Sequence, residues 1–318
     1  MTSPPAAQLD GKLVEGELQR LRSEFYNASV VEVRDAHEEL RILRVRPDGE
    51  RVSLQAGQYA TLGLGSWEAC IAGSHDAQPV RPQLIRRAYS VACSMLDESS
   101  SLVRLGDCEY LEFYVALVRG KSPELRLTPR LFRLQPGDRL YLGPHAHGRY
   151  TLAGVQPGDR VVFAATGTGE APHNAMLAEL LASGPPRPIA SVTCVRYRKD
   201  LAYLRVHREL ERRFAKYRYL GLTTREPENV DPQASGYVGK RYLQEYFESG
   251  DFERDSGIVL DPKQTHVYLS GNPAMVGLPT PGAASSGSIN GMVAILQRRG
   301  FRLDEPDCPG NLHCERFW

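Results

Sequence analysis

Val161-Val162-Phe163-Ala164-Ala165-Thr166-Gly167-Thr168-Gly169 is the stretch on which the architecture of this chain turns. Five apolar residues run without interruption, the pattern of a strand buried on both faces. They stop at a glycine-rich turn, and Ala171-Pro172 with Met176-Leu177-Ala178-Glu179-Leu180-Leu181 continues as a helix. The same order recurs downstream. Ile189 to Val195 reads as a second strand, Leu201 to Phe214 as a charged helix and Tyr219-Leu220-Gly221-Leu222 as a third strand. Tyr242 to Phe247 reads as helix, His266-Val267-Tyr268-Leu269-Ser270 as a strand meeting Gly271-Asn272-Pro273, and Gly291 to Arg298 as the last helix. Strand and helix alternating in this way predict an α/β doubly wound parallel sheet over residues 154–318.

Upstream of Pro157-Gly158-Asp159 the pattern is different. Leu43-Arg44-Val45-Arg46 alternates and stops at Pro47-Asp48-Gly49. Ala56 to Leu62 and Arg139 to Leu142 are further short strands, and Leu111, Phe113, Val115 and Leu117 alternate with Glu112 and Tyr114 as a half-buried strand should. Many short strands with little helical pattern predict a small antiparallel β-barrel over residues 25–153. Residues 1–24 form an N-terminal extension, Pro/Ala/Ser-rich and disordered up to about Gly11. Ser66 to Gln83 and Pro281 to Ser288 read as long loops.

Composition bounds the rest. The 318 residues carry a formal net charge of +1 and are 42% hydrophobic, which argues against a general polyelectrolyte binder of nucleic acid. No apolar run reaches transmembrane length and Met1-Thr2-Ser3-Pro4-Pro5 does not open a signal peptide, so a cytoplasmic protein without membrane insertion is expected. Cys70, Cys93, Cys108, Cys194, Cys308 and Cys314 are scattered and are expected to be reduced thiols. They and the histidines, His145, His147 and His313 among them, show no metal-ligand spacing, and the histidines are expected at the surface. No metal is expected, so redox chemistry here would run through an organic cofactor.

Two groups of residues carry chemistry. In Arg86-Arg87-Ala88-Tyr89-Ser90, Arg87 and Tyr89 share one face of a strand and Ser90 points to the other. A cation, a flat ring and a hydroxyl are what the pyrophosphate, isoalloxazine and redox-active nitrogen of a flavin dinucleotide require; an amphipathic strand with a solvent-reaching arginine would read the same way. In the second half, Thr166-Gly167-Thr168-Gly169 and Gly271-Asn272-Pro273 both end strands of one sheet, where backbone amides and a helix N-terminus suit a pyrophosphate. Arg196 and Arg225 follow the second and third strands. An arginine fork there grips a 2′-phosphate, so NADP is favoured over NAD, although Asp200 lies nearby.

With these residues placed, the sequence from Phe25 to Trp318 resembles the ferredoxin–NADP(+) reductase family in its bacterial branch. Arg87-Ala88-Tyr89-Ser90 looks like its flavin strand, and Leu127-Thr128-Pro129-Arg130-Leu131 like the segment closing on the flavin phosphates. Thr166 to Gly169 with Ala171-Pro172 looks like the first nucleotide turn. Val195-Arg196-Tyr197 with Asp200-Leu201, Thr224-Arg225-Glu226 and Gly239-Lys240 resemble the 2′-phosphate site. Gly271-Asn272-Pro273 with Met275 resembles the turn facing the nicotinamide, and Glu315-Arg316-Phe317-Trp318 the aromatic tail.

The resemblance implies an FAD-binding barrel followed by an NADP-binding α/β domain. Arg87 would hold the FAD pyrophosphate, Tyr89 lie against the isoalloxazine and Ser90 hydrogen-bond near its N5. Ala88, Val115, Ala116, Leu117, Thr128 and Thr166 would complete the flavin site. Phe317 would cover the other flavin face and swing aside as a gate for nicotinamide, and Trp318 would reach towards the adenine. Gly167, Thr168, Gly169, Arg196, Thr224, Arg225, Lys240, Gly271, Asn272, Pro273 and Met275 would bind NADP(H). Two residues depart from the pattern. Glu170 stands where relatives usually carry an aliphatic side chain, which sets a charge beside the nucleotide turn, and Ser270 stands where many carry cysteine. The activity implied is electron transfer between NADPH and a one-electron carrier, ferredoxin or flavodoxin, by a monomer. The rivals are a reductase component of an oxygenase or a flavin reductase, and a flavin-binding regulatory or carrier subunit without turnover.

Overall fold

A computed structural model describes residues 15–71, 82–118, 126–183, 186–277 and 291–316. Two sheets account for its strands, a closed antiparallel barrel and a five-stranded parallel sheet.

The chain enters through helix α1 (Glu15–Phe25), within the extension for which the sequence suggested no element. The helix is fastened to the barrel. Arg22 Nε and Nη2 donate to both oxygens of Glu68 at 2.9 and 2.8 Å, and Tyr26 OH donates to the same carboxylate at 2.9 Å. Strands β1 (Ala28–His37) and β2 (Leu40–Pro47) form a hairpin. Next come β3 (Tyr59–Gly65), β4 (Leu84–Ala92), β5 (Leu111–Ala116), the single helical turn α2 (Thr128–Leu131) and β6 (Arg139–Leu142). The barrel closes in the order β1-β2-β5-β4-β3-β6. Leu43, Leu62, Val91, Phe113 and Leu140 are fully buried in its core, and Leu131 of α2 joins the same cluster. Arg41 Nη1 donates to the carbonyls of Leu131 and Leu134 at 3.1 and 3.0 Å, tying β2 to α2 and the residues that follow it.

The second sheet starts with β7 (Arg160–Thr166), followed by α3 (Glu170–Ala182), β8 (Ile189–Val195), α4 (Leu204–Arg213), β9 (Tyr217–Thr223) and α5 (Pro227–Val230). Helices α6 (Leu243–Glu248) and α7 (Asp251–Ser256) lead to β10 (Thr265–Gly271), α8 (Pro273–Val276), α9 (Met292–Arg298) and β11 (Leu312–Arg316). The strand order is β11-β10-β7-β8-β9, so the winding direction reverses at β7 and a crevice opens at the carboxyl ends of β7 and β10. None of the described helices is long and apolar enough to cross a membrane.

Two expectations are corrected. Glu112 and Tyr114, taken for the solvent side of β5, are buried at 2% and 4% exposure. The α/β domain docks on that face, where Tyr203 OH donates to Glu112 Oε1 at 2.9 Å and Tyr114 OH donates to the Asp200 carbonyl at 2.8 Å. The histidines are not all at the surface either. His173, His207 and His313 are buried, each held by a hydrogen bond, to Tyr150, Tyr217 and Asp304. Desolvation pushes the His313 imidazole down to about 4.

Candidate active site

The barrel is closed but unevenly bonded. Strand β4 pairs with β3 from Leu84 to Ser90, whereas its ladder to β5 comprises only Val91↔Phe113 and Ala92↔Glu112. The two strands therefore splay, leaving Arg86 to Ser90 facing Val115 to Leu117 across a gap. Arg86, Arg87 and Ala88 are exposed in the middle of a strand, and Tyr89 is half-buried with its ring edge-on to Phe113 at 6.5 Å. A cavity of about 480 Å³ opens against this segment, lined by Arg86, Arg87, Ala88, Thr61, Tyr141, Gly143, Pro144, His145 and His147. Its lining is cationic and aromatic, which suits an anionic ligand with planar rings. Arg87 Nη1 donates to the Arg86 carbonyl at 2.7 Å. Across the gap Thr128 Oγ1 accepts the Val118 amide at 3.0 Å, tying α2 to the end of β5 and leaving the hydroxyl proton for another acceptor.

The nucleotide edge is built from backbone. Thr166 Oγ1 accepts the Asn272 amide at 2.8 Å, which locks the two turns together, and Asn272 Oδ1 accepts the Ala274 amide at 2.8 Å to cap α8. Gly271 has φ +128, and a Cβ there would lie 2.3 Å from Thr166 Oγ1; at Gly169 it would lie 2.3 Å from the Ser270 carbonyl oxygen. Only glycine fits either position. Met275 is buried and packs in the core cluster behind this edge.

Arg196, Arg225 and Lys240 are exposed, and the backbone brings their loops together. The Arg196 carbonyl accepts the amides of Thr224 at 3.3 Å and Arg225 at 2.9 Å, buried Thr224 bonds the Val195 carbonyl at 3.2 Å, and Asn229 Nδ2 donates to the Gly239 carbonyl at 3.1 Å. The exposed rings of Tyr197, Tyr237 and Tyr242 stand in the same segments.

Barrel and sheet meet at Ser90. Its hydroxyl, on the opposite face from Arg87 and Tyr89, donates to Glu315 Oε2 at 2.9 Å. Glu315 pairs in register with Ser270 across β10 and β11. Burial pushes its carboxyl up to about 7, against the opposing pull of the Ser90 hydrogen bond. The sequence reading assigned no role to Glu315. The available signal was its place two residues before the terminal aromatic pair, but its contact with Ser90 spans 225 positions and no local pattern reports it. Ser270 is fully buried, and its Oγ has no hydrogen-bond partner among the described residues. Phe317 and Trp318 lie outside the described residues.

Glu170 does not face the nucleotide. Its Oε1 accepts Tyr219 OH at 2.8 Å, Thr193 Oγ1 at 3.0 Å and His207 Nε2 at 3.1 Å beneath the sheet, so the charge expected beside the turn is directed into the interior.

Residues 163–278 match the family model of the oxidoreductase NAD-binding domain. The chain is 30% identical over 222 residues to the flavodoxin/ferredoxin–NADP reductase of Escherichia coli (strain K12), covering 70% of this chain and 75% of that protein. It is 27% identical over 254 residues to the protein of the same name from Buchnera aphidicola subsp. Schizaphis graminum, covering 79% of this chain and 87% of the relative. Among solved structures, a ferredoxin NADP+ reductase from Neisseria gonorrhoeae with bound FAD and NADP superposes with a TM-score of 0.67 at 18% identity, covering 92% of this chain and 99% of that one.

Proposed function

The chain belongs to the flavodoxin/ferredoxin–NADP reductase family and is an oxidoreductase of that family, and from this we propose that it passes electrons between NADPH and a ferredoxin or flavodoxin through FAD, as a monomer. The observation that carries the reading is the Ser90–Glu315 hydrogen bond, because it brings the strand suited to a flavin against the strand edge suited to a nicotinamide.

Bound FAD would supply the chemistry, taking a hydride and releasing single electrons. The residues that fit it are Arg87 and its neighbour Arg86 for the pyrophosphate, Tyr89 for the ring, the backbone of Val115 to Leu117 with Thr128 across the gap, and Ser90 for the redox-active edge. Phe317 and Trp318 follow β11 in the sequence, and we assign them to cover the ring and approach the adenine. The chain's own contributions are positioning and proton handling. Glu315 holds or gives up a proton near neutral pH in hydrogen-bond contact with Ser90 Oγ, so the pair can move a proton to and from that hydroxyl. The Thr166–Gly169 and Gly271–Pro273 turns offer amides to a pyrophosphate. Arg196, Arg225 and Lys240 converge on a phosphate at the far end of the nucleotide.

The test uses protein purified from cells with ample riboflavin. It should be yellow, and under anaerobic conditions NADPH should bleach it much faster than NADH; cytochrome c reduction should then depend on added ferredoxin or flavodoxin. A colourless protein that FAD does not reconstitute would end this reading. Arg225→Ala sharpens it: affinity for NADPH should fall by about 1.5–3 kcal/mol, roughly ten- to a hundredfold, with NADH affinity unchanged.

A further inference from the structure

The loop that carries Arg196 is fastened to the barrel mainly through Asp200. Asp200 divides its carboxylate between the two domains. Oδ2 accepts the Tyr197 amide at 3.0 Å, within the loop, while Oδ1 accepts His37 Nε2 at 2.9 Å, from the tip of the β1–β2 hairpin. The Asp200 carbonyl accepts Tyr114 OH from β5 at 2.8 Å. The side chains of His37 and Asp200 are only 11% and 12% exposed, so water screens their contact little. The hairpin also sets the ring. His37 Nδ1 accepts the Glu39 amide at 3.2 Å, which leaves the proton of the neutral imidazole on Nε2, aimed at Asp200. A second link from the same hairpin, Lys199 to Glu38 at 3.5 Å, joins two exposed side chains and adds little.

The loop does not move alone. The Arg196 carbonyl holds the amides of Thr224 and Arg225, and the Arg198 amide donates to Glu226 Oε1 at 2.5 Å. Arg196, Arg225 and Asp200 therefore form one backbone-linked body, and at Asp200 the His37 and Tyr114 bonds join that body to the barrel, His37 through the side chain and Tyr114 through the carbonyl.

We propose that His37, acting through Asp200, is a positioning residue that holds the 2′-phosphate-binding loop at a set distance from the flavin site and so sustains the preference for NADPH over NADH. The inference rests on the NADPH and FAD reading given above. A nucleotide gripped by its 2′-phosphate has its nicotinamide delivered at a position that depends on where the loop stands relative to Ser90 and Glu315. An ångström of play in the loop becomes an ångström of misplacement at the reacting carbon. NADH has no phosphate for the loop to grip, so its delivery does not depend on the joint.

The experiment compares flavin-loaded wild type with His37→Ala and His37→Gln, whose amide can still donate to Asp200. In His37→Ala, the limiting rate of flavin reduction by NADPH should fall about tenfold while the NADH rate and the affinity for 2′-phospho-AMP stay within about twofold. Amide exchange of Tyr197 and Asp200 in the loaded protein should accelerate. His37→Gln should restore most of both. Equal losses with NADPH and NADH, or unchanged loop exchange in His37→Ala, would overturn the proposal. If His37→Ala does not fold, Tyr114→Phe removes only the bond to the Asp200 carbonyl and is judged by the same split. A wild-type flavoprotein that NADPH cannot reduce would sink the functional reading itself, whereas a reducible wild type without the split sinks only the joint.

Discussion

The parallel sheet buries its two faces by different means. On the outer face Val162, Ala164, Val192, Val267 and Leu269 meet Phe247, Phe252 and Leu296 in a predominantly apolar cluster. On the inner face Val161, Phe163 and Ile189 are joined by Ser191, Thr193, Tyr268 and Ser270 of the same strands and by Tyr217 and Tyr219 of β9, all of them buried. There Glu170 takes three hydrogen bonds, and His207 Nδ1 accepts Tyr217 OH at 2.8 Å while its ring stacks on Tyr219 at 4.0 Å. The outer face only has to exclude water, and any close-packed set of side chains does that. The inner face meets α3, α4 and the barrel, so its directional bonds fix where the carboxyl ends of β7, β10 and β11 stand.

The largest effects should come from opening a hole in each face. Phe247→Ala, fully buried against Phe252 at 4.3 Å, should cost about 3–5 kcal/mol by leaving a cavity, with the nucleotide turns undisturbed in a reconstituted protein that still folds. Glu170→Ala should cost about 3 kcal/mol because Tyr219, Thr193 and His207 each lose an acceptor in a dry interior, and it should loosen the turn that begins α3. Denaturant melts measure both losses, and 2′-phospho-AMP or NADPH titrations separate them. If Phe247→Ala weakens the nucleotide as much as Glu170→Ala does at equal loss of stability, the two faces are not functionally distinct.

The same contrast explains what the sequence could reveal. The run Val161 to Ala165 and the glycines after it carry their meaning locally, because a strand buried on both sides must be apolar and a backbone that approaches another at Gly169 and Gly271 cannot carry a Cβ. Arg87, Tyr89 and Ser90 were legible for the same reason, since alternation along a strand is a property of the strand alone. Glu112 was misread because its partners, Arg44 Nε at 2.8 Å and Tyr203, are supplied by distant segments, and a charged residue on an alternating strand otherwise indicates solvent. Glu170 was singled out but expected beside the nucleotide turn, and Glu315 was given no role: the contacts of each buried carboxyl are assembled only when the chain folds.

Glu315 gives the inner face a pH dependence that the outer face lacks. Burial raises its folded carboxyl to about 7, above the ordinary value of 4.5 that it has in the unfolded chain. A raised carboxyl means that the native state favours the protonated form. Its contribution is complete below pH 4.5 and is lost as pH rises through 7, amounting to about 3 kcal/mol. His313, two residues earlier on β11 and depressed to about 4 by burial, acts in the opposite sense: its contribution is complete above 6.5 and is lost as pH falls towards 4. The two slopes oppose each other between about pH 4.5 and 6.5, so together these groups leave stability level there and lower it on either side. Glu315→Gln removes the loss and leaves the opposing gain from His313, so its denaturant midpoint at pH 8 should rise relative to that at pH 5, compared with wild type. An unchanged gap would mean that Glu315 is ionised in the folded protein and that Ser90 donates to a permanent carboxylate.

The smallest effects, and the finest test, lie in two neighbours on opposite faces. Val192 is fully buried in the apolar cluster and Thr193 is 2% exposed beside Glu170. Val192→Thr puts a hydroxyl where the surrounding side chains of the cluster are apolar, and should cost about 1–3 kcal/mol. Thr193→Val keeps the shape and makes the core more hydrophobic, which by area alone predicts a gain. It also takes from Glu170 one of its three donors, and a charged acceptor that loses a bond in the interior costs more than one methyl group returns. The expected outcome is a loss of about 1 kcal/mol. A stabilised Thr193→Val protein would mean that Tyr219 and His207 suffice for Glu170, and that the polar residues of the inner face are tolerated there without being needed to hold the turn.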